Sequence, residues 1–219
     1  MRLWSKLISY IFHPIFILFY MFILLKCINP YLFNFTDPKA EGLLTINVFI
    51  FTVMFPLIAT LIMLKLGLIR SLEMKDKMER IGPFIVSAIF YLWLFKNIKD
   101  NSNVPGVYTT MVLGSIIGLF IGFAINTVSK ISIHTIGVGG LIAGLFLMKI
   151  GYSYEYFSLS IPSLGTYLVN VNLILVLGLI IAGAVGTARL WLNAHKAQDV
   201  YGGYIVGIFA QVVAIFFIL

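Results

Sequence analysis

The chain has 219 residues, 61% hydrophobic and only 11% charged, with a mean hydropathy of +1.04. A soluble domain carries about 25% charged residues, so this composition excludes one and describes a multi-pass integral membrane protein. The net charge of +7 reflects loop charges that set orientation and meet anionic headgroups; no basic block interleaved with aromatics points to nucleic acid, and the single cysteine, Cys27, excludes an internal disulfide and a thiolate metal cluster.

Seven apolar stretches follow one another, at roughly 7–27, 43–65, 84–97, 105–127, 133–151, 168–188 and 201–219. Most are near the ~20 residues a helix needs to cross a bilayer. The first, from Leu7 to Leu25, is too long for a signal-peptide core and lacks a small-residue cleavage site, so it reads as a retained span. The third is short for a crossing. The expected fold is therefore an all-α bundle of six or seven transmembrane helices in one domain, residues 1–219, and the expected location is a bacterial inner (cell) membrane. His13, before Pro14 and near Trp4 and Tyr10, reads as an interfacial residue of an aromatic belt.

Sixteen of the nineteen glycines lie after residue 105. Several recur at small-xxx-small spacing, as in Gly114, Gly118 and Gly122, which lets helix backbones approach where lipid offers no hydrophobic drive. The later part thus reads as a tightly packed core, with two looser flanking spans in residues 1–70. The Gly114/Gly118/Gly122 ridge packs either within the chain or as a homodimer face.

Three polar clusters interrupt the apolar runs. The segment 70–83, RSLEMKDKMERIGP, is the most charged of the chain and reads either as a solvated, topology-setting loop or as an anion cradle. The segment 129–135, SKISIHT, places Ser132 and His134 at the start of the fifth run, where a serine commonly caps a helix. The segment 188–199, ARLWLNAHKAQD, gathers Arg189, His195 and Asp199. Ionisable residues are costly in lipid and by default mark a working site. On a helix His195 and Asp199 would share a face, and the carboxylate would then fix which imidazole nitrogen stays free. Two apolar runs separate each cluster from the next, so all three return to one face of the membrane.

The third cluster resembles a known signature. Arg, five residues, His, three residues and Asp, followed by Val and a glycine pair, is similar to the third signature of the type 2 phosphatidic acid phosphatase (PAP2) superfamily, with Ala188 where that family usually has serine. The first signature, lysine, six residues, then Arg-Pro, is met in part by Lys75 and Gly82-Pro83, with Arg80 two residues before the missing arginine. Ser132 and His134 match two positions of the second, with Ile131 and Ile133 in place of its proline and glycine.

The resemblance covers roughly residues 75–207 and makes 75–219 a PAP2-like core. It implies a membrane phosphatase for a lipid phosphate or diphosphate of the phosphatidate, phosphatidylglycerol phosphate or polyprenyl diphosphate class. His195 would be the nucleophile, Asp199 would hold its ring and His134 would be the general acid. Arg189, Lys75, Arg80 and Ser132 would bind the phosphate. It implies no metal and no cofactor; the partners are the lipid substrate and membrane lipids, whose tail enters sideways between helices.

Other readings share these residues. Two histidines and a carboxylate suit a metal, although the neighbouring cations favour an anion. A transporter would string polar residues through the spans, whereas here they collect at one interface. A degenerate relative would bind phospholipid without cleaving it. The count of Lys and Arg, ten on the motif face against five on the other, points that face to the cytoplasm; membrane relatives of the PAP2 type work on the opposite face.

Overall fold

A computed structural model describes residues 2–74, 76–161 and 163–219. Pro14 opens the first long apolar helix and lacks the amide that would continue a helix through it. The chain therefore breaks there into α1 (Arg2–Ile11) and α2 (Pro14–Ile28), bent by 57°. His13 caps α2, its Nδ1 accepting from the Ile15 amide at 3.3 Å. The second span is continuous from Pro38 to Lys65 as α3 (Pro38–Phe49), a π-helical turn (Ile50–Met54) and α4 (Phe55–Lys65).

The short third run gains length at both ends. A 3-10 turn (Met78–Arg80) leads into α5 (Ile81–Ile98), giving a crossing of 21 residues. The remaining crossings are α6 (Gly106–Val128), α7 (Ile133–Gly151), α8 (Val171–Trp191) and α9 (Ala197–Ile218). Among the described residues six helices are long and apolar enough to span a membrane, and the bent α1–α2 pair counts as a seventh if taken as one span. The protein is a multi-pass helical membrane protein.

The described residues form the expected helical bundle, with one small addition. Between α7 and α8 an antiparallel hairpin pairs β1 (Tyr156–Ile161) with β2 (Gly165–Asn170). Tyr, Phe, Ile, Thr and Val favour strands, and the turn uses positive φ at Ser163 (72°) and at Gly165 (102°).

The first span is not a looser flank. Leu18, Met21, Phe22 and Leu25 of α2 are at most 1% exposed and pack with Tyr108 and Met111 of α6 and Met148 of α7 in the core. The Gly114/Gly118/Gly122 ridge also faces inward. A Cβ at Gly114 would meet the Gln211 amide, and Cβ atoms at Gly118 and Gly122 would meet Ile136. This ridge seats α9 and α7 and is not an outward dimer face. The tightest seam joins α7 to α9: a Cβ at Gly139 would stand 2.7 Å from the Tyr204 carbonyl, and one at Gly203 would stand 2.7 Å from the Ser132 carbonyl.

Long-range bonds identify the two ends of the bundle. At one end Asn29 Nδ2 donates to the Tyr152 carbonyl (2.9 Å) and Asn34 Nδ2 to that of Ser102 (3.2 Å). At the other, Asn126 Nδ2 donates to the Lys77 carbonyl (2.8 Å), and Ser132 N–H donates to the Asp199 carbonyl (3.2 Å). The three polar clusters therefore meet at one end.

Candidate functional site

A cavity of about 380 Å³ opens among these helices at the polar end, lined by His13, Arg80, His134, Arg189 and His195. It continues between apolar walls past Ser115 and Leu119 to Gln211, which is 3% exposed. Its size lies within the range of small-molecule sites.

Helix α8 runs to Trp191 and carries Arg189 in its last turn. The chain then leaves the helix through Asn193, which takes the left-handed conformation (φ 52°) that asparagine tolerates better than most residues. His195 lies in this turn and Asp199 at the third position of α9, so the two do not share a helix face as their spacing suggests. The Asp199 carboxylate joins them instead, from the first turn of α9. One oxygen of Asp199, Oδ2, accepts the Lys196 amide at 3.1 Å and stands 3.3 Å from His195 Nδ1. The carboxylate assigns the His195 proton to Nδ1 and leaves Nε2 with its lone pair. Burial, and then the guanidiniums of Arg80 and Arg189, pull the pKa of His195 down to about 4, with Asp199 opposing. The ring is neutral at pH 7.

Arg80 is 5% exposed. Its Nε donates to the Met74 carbonyl (3.0 Å) and its Nη1 to that of Ile131 (3.3 Å), which leaves further donors of the five for a ligand. A Cβ at Gly82 would meet the end of Met63 on α4, so a side chain there starts toward α4, whereas Arg80 reaches the cavity. Arg189 Nε is buried without a hydrogen-bond partner among the described residues. Glu73 also lines the cavity and bears electrostatically on Arg189.

His134 opens α7 with Nε2 3.2 Å from the Ser9 carbonyl. A carbonyl can only accept, so Nε2 carries the proton and Nδ1 is the free nitrogen. The His13 and His134 rings meet edge to face with centroids 5.1 Å apart. His13 is thus a cavity residue, contrary to its interfacial reading; its sequence signal is only a histidine before a helix-opening proline.

One expected ligand lies elsewhere. Ser132 is fully buried, does not line the cavity, and its hydroxyl has no partner among the described residues. Its contribution is the backbone bond to Asp199. Lys75 lies outside the described residues. Lys77, in the same charged segment, caps α6 by donating to the carbonyls of Thr127 (2.8 Å) and Val128 (3.1 Å). Among the described residues no three of His, Cys, Asp and Glu gather closely enough to hold a metal ion.

The arrangement offers two guanidiniums, a neutral imidazole with an oriented lone pair, and an apolar chamber behind them. No family model, curated protein or solved structure matches this chain, and the chemistry of the cavity is the basis for assigning it a function.

Proposed function

We propose that this chain is a membrane phosphatase that cleaves a lipid phosphate or diphosphate through a phosphohistidine on His195. The observation that carries the reading is the convergence of Arg80, Arg189 and His195, from three separate segments, on one cavity with an apolar interior. Buried cations with few acids beside them favour an anionic ligand, and the chamber suits the tail attached to it.

In this scheme the guanidiniums hold the phosphoryl oxygens, where planar donors act in pairs. The Nε2 lone pair of His195 forms the N–P bond as the P–O bond to the lipid breaks. The departing oxygen takes a proton from His134, which must be protonated at Nδ1 to give it. Water then attacks phosphorus and the N–P bond breaks. One proton of that water returns to His134, and inorganic phosphate leaves. The PAP2-like signatures support the assignment of roles, and the departures at Gly82, Ile131, Ile133 and Ala188 mark where this chain would solve the same problem differently.

A second reading is a binder of phospholipid that does not cleave it. The contact of His134 with the Ser9 carbonyl and the removal of Ser132 from the cavity favour it, since an altered cradle loses transition-state contacts before ground-state binding.

The deciding experiment is phosphate release by purified protein in detergent from phosphatidate, phosphatidylglycerol phosphate and a polyprenyl diphosphate, with EDTA present, beside His195→Ala. Release that survives EDTA and disappears in the variant is expected. Binding without release selects the second reading, and release abolished by EDTA overturns the phosphohistidine scheme.

A further inference from the structure

We propose that His13 is a further ligand-binding residue of the cavity, a neutral hydrogen-bond donor to the phosphoryl group held by Arg80 and Arg189. The inference rests on the anion-site reading above but not on hydrolysis.

The two ring nitrogens of His13 have separate tasks. Nδ1 accepts the Ile15 amide at the start of α2, so in the neutral ring the proton sits on Nε2. Because the cap occupies the Nδ1 edge, the opposite edge, with its Nε2–H, is left for the cavity that His13 lines. The ring also rests against His134 at 5.1 Å and lies within the electrostatic reach of Arg189. The bend between α1 and α2 delivers it: an unbroken helix would carry residue 13 along the span wall, whereas the break at Phe12–His13 turns it to the mouth of α7. A neutral donor suits this position, because two guanidiniums already supply the charge and a third cation would be repelled. The added N–H gives a phosphoryl oxygen direction without more positive charge.

The two roles separate by substitution. Asparagine is among the best helix N-caps and places its oxygen near the position of Nδ1, so His13→Asn keeps the cap and removes the donor. Glutamine extends its amide N–H toward the position of Nε2, so His13→Gln keeps the donor and weakens the cap.

The test is calorimetric binding of dodecylphosphonate, whose P–C bond resists hydrolysis, to the full chain in detergent, with thermal unfolding of each variant. The expected result is that His13→Asn melts with wild type but binds about tenfold more weakly, the weight of one hydrogen bond to a charged group. His13→Gln melts lower and stays within about threefold of wild-type affinity. If His13→Asn binds like wild type, His13 is only a helix cap and the inference is overturned, while the anion site stands. If wild type itself fails to bind, the anion-site reading falls and takes this inference with it. Should His13→Gln not fold, the asparagine variant decides alone.

Discussion

Asp199 stands 3.3 Å from His195 through the same oxygen that accepts the Lys196 amide. A single carboxylate therefore starts α9 and orients the ring that precedes it. Asp199→Ala is expected to lower stability by about 1 kcal/mol through the lost cap and to reduce phosphate release by a larger factor, because His195 loses its tautomer. Asp199→Asn retains an acceptor and should recover most of the stability but little of the activity. Thermal unfolding beside phosphate release checks this; equal losses in both readouts for both variants would refute the orienting role.

The neutral state of His195 has a pH signature. Its folded pKa is lowered from 6.5 to about 4, chiefly by burial and then by Arg80 and Arg189. The unfolded chain therefore takes up the proton first as pH falls. The stability linked to this ring is fully present above about pH 6.5 and is lost as the pH falls through that value toward 4. Removing one guanidinium with Arg189→Met should raise the His195 pKa but leave it below 6.5, since burial remains. The pH dependence of diethyl pyrocarbonate modification at His195 measures the shift, and an unchanged profile would exclude Arg189 as a cause.

Arg80 binds two carbonyls, that of Met74 in its own segment and that of Ile131 beyond α6. Lysine has the charge but cannot hold both in a planar fork. Arg80→Lys should lose about 1–3 kcal/mol and weaken dodecylphosphonate binding, while Lys77→Ala, which touches only the end of α6, should leave binding unchanged. Calorimetry on the two variants separates a specific fork from general positive charge.

The adjacent glycines of the DVYGG stretch are predicted to be unequal. At Gly202 an added Cβ meets nothing within 4 Å, whereas at Gly203 it would press on Thr135 and on the Ser132 carbonyl. Gly202→Ala should be neutral or gain up to about 1 kcal/mol from helix propensity. Gly203→Ala should separate α9 from α7, lower the melting temperature and impair phosphate release. Equal tolerance of both would mean that the seam is looser than the structure has it.

What the sequence revealed follows from periodicity and covalent order. The apolar runs marked every crossing, and their even number between clusters brought residues 70–83, 129–135 and 188–199 to one face. Arg80 was legible as a cation two residues before Gly82; a Cβ at position 82 would start toward Met63, whereas Arg80 lines the cavity. The spacing paired His195 with Asp199, but for another physical reason: the carboxylate oxygen that accepts the Lys196 amide at the start of α9 also reaches the ring, with no shared helix face. His13 was not legible, because its place depends on a 57° bend and a ring 121 positions later in the chain. Ser132 was expected as a ligand from its match to the PAP2 second signature; its burial depends on the seam with α9. The hairpin at 156–170 was missed because a short polar-aromatic stretch between spans lacks the long apolar signal that marked everything else.

The bond from Ser132 to the Asp199 carbonyl has a mechanical consequence. Together with the glycine seam it makes α7 and α9 one stiff beam, with His134 at the end of one half and Asp199 near the end of the other. The guanidinium of Arg80 arrives on a different part, the segment 66–80, tied to that beam by Arg80 itself. Movement at the cavity then falls on the arm bearing Arg80, while the imidazoles keep their spacing. Amide exchange should run faster in 66–74 than in the first turns of α7 and α9, and a bound alkyl phosphonate should slow the arm and leave the beam as it was.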